Sequence, residues 1–320
     1  MIIVTGAAGF IGFHVAQALL ARGESVVGID NFDPYYSVDL KRARVAVLAE
    51  RRGFALAELD LSQPTASATL LSRYGEATAI VHLAAQPGVR AAELDPHRYV
   101  AANVAGQLTV LETARRLKKL RHAIYASTSA VYGATPNRPF SLDDRADQPI
   151  SLYGATKRGA ELMAIAYAAQ YGLALTGLRF FTVYGPWGRP DMATWKFTQA
   201  IVEGAPLTLY EGGNMTRAFT YIDDIVEGVL AALDRPAAGH RLFNLGNDRS
   251  ENVRRYLQVL EQAIGRPAII QVEPRHRADM SETVADISVS ERELGWRPRI
   301  GIDQGLPRFV EWYRGYNGAR

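Results

Sequence analysis

Short apolar runs alternate with longer mixed stretches through the first half of the chain. Residues 2–4, 25–29, 54–58, 79–83, 122–126 and 173–180 read as strands. The segments from Phe10, Ser37, Ala66, His97, Tyr153 and Thr194 read as the starts or early turns of helices. Strands alternating with helices predict an α/β fold, a doubly wound parallel sheet of Rossmann type covered on both faces. After Phe181 the texture changes. Pro186, Gly188, Pro190, Gly204, Pro206, Gly212 and Gly213 crowd a short interval, which reads as loops between small elements. Arg241-Leu-Phe-Asn-Leu-Gly246 reads as one more core strand. The remainder, with Pro267, Pro274, Pro298 and Pro307, reads as a smaller mixed α/β lobe. The expected division is a dinucleotide-binding unit of residues 1–178 plus 219–246, interleaved with a substrate unit of 179–218 and 247–320.

Composition narrows the classes. The chain has 320 residues, 48% apolar and 22% charged, enough for a large core and two lobes. Its 36 basic and 33 acidic residues nearly balance at +3, and no long Lys/Arg run appears, so no nucleic-acid partner is expected. There is no cysteine, which excludes disulfides and thiolate metal sites and accords with a reducing compartment. The six histidines form no cluster of ligand spacing, so no metal is expected. No apolar stretch reaches the roughly 18–20 residues of a membrane helix. Met1-Ile-Ile-Val-Thr5 runs straight into a strand without room for a signal peptide, and a cytoplasmic location is expected.

Two motifs carry the chemistry. Gly6, Gly9 and Gly12 fall where the first strand turns into the first helix, spaced Gly-x-x-Gly-x-x-Gly. Such a turn lets backbone approach a pyrophosphate at a helix N-terminus; a plain tight turn uses the same glycines. Asp30 ends the second strand, where a carboxylate can accept both adenosine ribose hydroxyls. It would repel a 2′-phosphate, so NAD is favoured over NADP. Arg42 and Arg44 are read as lying past a loop, too far on to reverse this. The expected cofactor lining is Gly6, Gly9, Phe10, Ile11 and Gly12 from the turn, with Asp30 and Asn31. Asp60, Leu61, Leu83, Ala84 and Ala85 join from the next two strand ends, and Asn103 and Lys157 from helices.

The second motif is Ser151-Leu-Tyr-Gly-Ala-Thr-Lys157. Tyr153 and Lys157, four apart, share one helical face. A tyrosine with a pKa of about 10 becomes a usable base only if a nearby cation lowers it, and Lys157 can do so. The same spacing also occurs as an ordinary surface pair. Ala126-Ser-Thr-Ser-Ala-Val-Tyr-Gly133 offers hydroxyls at a strand end, to a substrate oxygen or to the backbone alone.

The glycine turn, the hydroxyl block, Tyr153/Lys157 and Arg179-Phe-Phe-Thr-Val-Tyr-Gly-Pro-Trp-Gly-Arg-Pro-Asp191 together resemble the extended short-chain dehydrogenase/reductase superfamily. Within it, the similarity is to nucleotide-sugar epimerases, from Met1 to about Pro298. The resemblance implies Thr128 as the catalytic hydroxyl beside Tyr153 and Lys157, and Arg217 on the nucleotide diphosphate. It also implies uracil near Lys196, Phe197 and the strand ending at Tyr210. Sugar 4,6-dehydratases of this group carry Asp-Glu where this chain has Ser129-Ala130, and its decarboxylases carry Glu at Ala130. Alanine moves no proton, which leaves hydride removal and return.

Asp30-Asn-Phe-Asp-Pro-Tyr-Tyr36, Gln86-Pro-Gly-Val-Arg90 and residues 182–191 look most like UDP-glucuronate 4-epimerases. Glucose epimerases usually carry Asn at Thr182. On this reading Thr128, Ser129 and Thr182 donate to the sugar carboxylate and hold it out of alignment with the C4 carbonyl. Arg90 and Arg189 are its charged partners, unless both serve structural carboxylates. The implied reaction interconverts UDP-glucuronate and UDP-galacturonate, without decarboxylation. The alternatives are a UDP-glucose 4-epimerase, a dehydrogenase releasing NADH, and a non-catalytic NAD-sensing protein. Two positions depart from the pattern. Ala218 replaces a common aspartate, and His276 stands where glucose epimerases place a diphosphate arginine, leaving Arg275 or Arg277 to substitute. The helices around 98–118 and 153–171 resemble those that form a four-helix homodimer interface.

Overall fold

The computed structural model describes residues 1–274 and 280–318. Arg275, His276 and Arg277 lie outside them. Its centre is a parallel sheet of seven strands: β1 (Ile2–Thr5), β2 (Val26–Asp30), β3 (Phe54–Glu58), β4 (Ala79–His82), β5 (His122–Thr128), β6 (Leu175–Phe180) and an edge strand His240–Leu245. Every residue of β1, β2, β4 and β6 is buried, the signature of a sheet covered on both faces. In space the order is edge strand, β6, β5, β4, β1, β2, β3. Strand order reverses between β1 and β4, and a ligand crevice opens where neighbouring strands diverge at their carboxyl ends.

The strands and helix starts lie within two residues of the sequence reading. Polar side chains explain several starts: Ser37 accepts from Leu40 N (3.2 Å) ahead of Val38–Ala49, and Ser151 accepts from Gly154 N (3.1 Å) ahead of Leu152–Tyr171. The helix expected from His97 is not uniform; Pro96–Val100 passes through a π turn, Ala101–Ala105, into Gly106–Ala114.

One face of the sheet packs on Phe10–Ala21 and Ile222–Leu233, and this core continues into the C-terminal elements. The other face packs on Ala66–Tyr74, Gly106–Ala114 and Leu152–Tyr171. Beyond β6 the chain forms small two-stranded pairs. Thr182–Tyr184 pairs with Phe219–Tyr221, Thr216–Arg217 with Glu251–Asn252, and Pro206–Tyr210 with Ile269–Glu273. The helices Ala193–Glu203, Val253–Ile264 and Ile302–Asn317 pack around them.

Candidate active site

A cleft of about 1430 Å3, including its open mouth, lies over the carboxyl ends of β1, β2 and β4 and reaches β5. Its floor is the glycine turn. Gly6 sits at φ +69°, and a Cβ there would come within 2.7 Å of Ala84 N. Gly12 lets the first helix cross its own turn; a Cβ would meet Gly6 O at 2.0 Å. Any larger residue at either place would deform the seat.

Asp30 anchors the turn as well as facing the cleft. Its Oδ2 accepts from Ala8 N (3.0 Å) and its Oδ1 from Phe32 N (2.9 Å). Each oxygen keeps a free lone pair. Asp60 Oδ1 caps Ser62 N at 2.9 Å and lies on the cleft wall with Asn31 and Leu61. Leu83, Ala84 and Ala85 form the facing wall. Thr5 Oγ1 accepts from Ala84 N (3.1 Å) and lies 2.7 Å from Nδ1 of buried His82, tying the two strand ends together. Burial, with Lys157 nearby, pushes His82 down to about 3, so it is neutral at physiological pH.

Asn103 is the departure in this set. It does not line the cleft. Its amide accepts from Gln86 N (2.8 Å) and donates to Gln86 O (3.1 Å) and Thr156 Oγ1 (3.1 Å), fixing the loop below the wall. Arg44 is the other. It does follow a loop, 31–37, on the helix Val38–Ala49, yet its side chain returns to the turn: it is fully buried and donates to Ala8 O at 2.8 Å. Arg42 stacks 3.5 Å over Phe32 and pairs with Glu58 Oε2 at 3.0 Å.

Tyr153, Lys157 and Thr128 meet at the inner end of the cleft. Burial raises the Tyr153 phenol above its ordinary value, while the Arg189 charge and a hydrogen bond with Thr128 pull it back. Lys157, 2% exposed, is pushed by burial down to about 8, with Glu161 opposing. Arg189 lines the cleft and is held by Asp191, Nε to Oδ1 at 2.9 Å and Nη2 to Oδ2 at 2.5 Å. Tyr35 OH donates to Asp191 Oδ2 at 3.2 Å, so the loop after β2 closes over this corner. Burial and Asp191 push Tyr35 up to about 12.

The remaining predicted residues are not among those that line the cleft. Ser129 and Thr182 are half-buried, one in the turn after Thr128 and the other opening the strand Thr182–Tyr184. Arg90 and Tyr210 meet each other: Arg90 stacks 4.3 Å over the ring and donates to its hydroxyl at 2.8 Å. Lys196 is exposed and Phe197 buried on the helix Ala193–Glu203. Arg217 donates to Thr216 O (2.8 Å) and Ser281 O (3.1 Å). Ala218 is fully buried. Among the described residues, no group of three or more His, Asp or Glu is placed to hold a metal ion.

Sequence reasoning missed the buried network behind this corner. Glu161 takes Arg179 Nε and Nη2, both at 2.8 Å, Arg158 Nη1 at 2.7 Å and Ser127 Oγ at 2.5 Å. The spacing of Lys157 and Glu161, one turn apart, was the available signal.

A parallel sheet with a glycine-floored crevice at its switch point, holding a tyrosine and lysine one turn apart, defines a Rossmann-type dinucleotide enzyme of the short-chain dehydrogenase class. The chain belongs to the NAD dependent epimerase/dehydratase family, whose model matches residues 2–246. It is 46% identical to UDP-glucuronate 4-epimerase 3 of Arabidopsis thaliana, over 100% of this chain and 78% of that protein. It is 41% identical to a probable UDP-glucuronate 4-epimerase of Rhizobium meliloti (strain 1021), over 97% and 96%. The crystal structure of UDP-glucuronic acid 4-epimerase from Bacillus cereus, in complex with UDP-glucuronic acid and NAD, superposes with a TM-score of 0.92. That match has 34% identity and covers 98% of this chain and 99% of that one.

Proposed function

We propose that the protein is an NAD-dependent UDP-glucuronate 4-epimerase, interconverting UDP-glucuronate and UDP-galacturonate. The residues of the cleft suit NAD: the turn has no space for a side chain, Asp30 has lone pairs for ribose hydroxyls, and Lys157 faces the cleft. NAD bound there would supply a two-electron acceptor for the C4 hydride. Tyr153 takes the O4 proton and later gives it back, with Thr128 orienting the phenol and Lys157 supplying the charge that favours its ionised form. The nucleotide stays anchored at the rim while the sugar turns. Lys196, Phe197, Tyr210 and Arg217 belong to that anchorage. Arg90, read from the sequence as a partner of the sugar carboxylate, is assigned here instead because it stacks on Tyr210. Residues 179–218 and 247–320 form the unit that carries the anchorage.

The observation that carries the reading is Ala130. It stands two residues from Thr128, 7% exposed, where the eliminating and decarboxylating relatives need an acid. Thr128, Ser129, Thr182 and Arg189 are assigned to the sugar carboxylate, restraining loss of CO2 from the β-keto acid. Proton NMR of the protein with NAD and UDP-glucuronate, beside an identical tube with UDP-glucose, tests this. UDP-galacturonate without UDP-xylose is expected in the first tube. Conversion only in the second would replace the substrate and retain the mechanism.

A homodimer is part of the proposal, as is a cytoplasmic site of action where NAD and the nucleotide sugar are both at hand. Val100 and Leu108 on one helical segment, with Leu162, Ile165 and Tyr171 on the helix Leu152–Tyr171, are 40–52% exposed, and a second copy would cover them. Among the described residues no helix is long and apolar enough to cross a membrane. Sedimentation of L162E should show monomers where the parent protein shows dimers; an unchanged dimer would place the interface elsewhere.

A further inference from the structure

Three consecutive main-chain carbonyls, those of Pro186, Trp187 and Gly188, are gripped from the dinucleotide side of the cleft. His14 Nε2 lies 2.9 Å from Pro186 O, and burial keeps this imidazole neutral, down to about 4, so its N–H donates. Arg44 Nη2 donates to Trp187 O at 2.6 Å and to Gly188 O at 3.2 Å. Its other terminal nitrogen donates to Ala8 O at 2.8 Å and to the Tyr36 hydroxyl at 2.7 Å. One guanidinium therefore staples the glycine turn to the loop that leads into Arg189.

Two features mark the staple as more than packing. Arg44 is 0% exposed, its four acceptors are carbonyls and a phenol, and its Nε has no partner. A charge buried with no carboxylate in contact is costly unless something else balances it. The nearby acid, Asp30, is turned onto Ala8 N and Phe32 N. The main chain of Ala8, its N–H on Asp30 and its carbonyl on Arg44, thus stands between the two charges, within the turn proposed to seat the pyrophosphate. The second feature is Trp187, held at φ +59°, a strained conformation for a bulky residue. Its ring is wedged 5.4 Å from Phe13 and 5.3 Å from Trp312, so the loop is over-determined on both sides.

We propose that Arg44 is a positioning residue for both halves of the site: a pyrophosphate on the glycine turn balances its buried charge, and its grip on the Pro186–Gly188 loop sets Arg189 against Tyr153. This rests on the cleft being the NAD and nucleotide-sugar site. The side chain acts through the turn and the loop and touches no reacting atom.

Release of bound NAD after dilution, assayed in the filtrate, is the first readout, with Arg44→Met and Arg44→Lys beside the parent enzyme. Arg44→Met should release NAD about tenfold faster or more, the factor expected from losing one charge-assisted interaction, and Arg44→Lys, keeping the charge, should recover part of the retention. The second readout is a double-mutant cycle on kcat with Arg44→Lys and Arg189→Lys. The combined loss should fall short of the product of the separate losses by about threefold or more. Parent-like release in both Arg44 variants, or strictly multiplicative losses in the cycle, would overturn the staple alone. A parent protein that holds no NAD would overturn the functional reading with it.

Discussion

Tyr153→Phe is expected to lower kcat by about 10^2–10^4-fold, the usual worth of a placed acid–base group, while NAD retention stays at the parent level. The phenol is the acidic group that Thr128 hydrogen-bonds and that the Arg189 charge acts on, and phenylalanine keeps its ring against Tyr99, 6.3 Å away. The loss should therefore fall on turnover and not on the seat. A variant retaining activity within about tenfold of the parent would remove Tyr153 from proton transfer.

The same corner sets a pH dependence. Burial pushes both members of the pair toward neutrality, Tyr153 up and Lys157 down to about 8. The active form has one proton fewer than the fully protonated pair, whichever site loses it, so the apparent value belongs to the pair. The pair's first proton leaves no higher than the lysine's own value. kcat/KM should rise with pH with unit slope and level off near pH 8. In Lys157→Met the phenol must ionise unaided, and the rising limb should move to higher pH. A flat profile from pH 6 to 9 would mean that another step limits the rate.

The parts of this corner legible in the sequence were those made by neighbours along the chain. The β1 run Ile2–Val4 shows burial on both faces as unbroken apolar character, and the Tyr153–Lys157 spacing fixes a shared helical face before any fold is known. Contacts between distant segments were not legible. Arg189, Asp191 and Tyr35 come together across a separation of 156 residues, which no local pattern encodes. Arg90 and Tyr210, read separately as sugar and uracil residues, face each other. Asn103 has a group suited to a cofactor, yet Gln86 and Thr156 take it. The helix Val253–Ile264 does carry a local signal: Val253, Tyr256, Leu257 and Leu260 recur at helical spacing on its buried side.

Glu161 carries the second large expectation, in stability. Glu161→Gln should cost about 3–5 kcal/mol, because it leaves Arg179 charged, buried and without its counter-ion. Both side chains are 2% exposed or less, and their two bonds at 2.8 Å join the helix of Tyr153 and Lys157 to β6, while Ser127 brings in β5. Replacing the pair together, Glu161→Leu with Arg179→Met, should cost less than either single change, since no charge is then stranded. The sign of the pH effect follows. Burial pushes the Glu161 carboxyl up, but bonds and charge from Arg179, with bonds from Ser127 and Arg158, bring it below its ordinary value. A lowered folded-state pKa contributes stability above the unfolded value, about 4.3, and loses it as pH falls through the folded one. Acid unfolding of the parent should show this, and Glu161→Gln should flatten it. The network also reaches the chemistry, because Glu161 is the charge opposing the fall of Lys157. In Glu161→Gln the rising limb of kcat/KM should move to lower pH, opposite to Lys157→Met. A variant melting with the parent and sharing its pH profile would reduce the buried pair to packing.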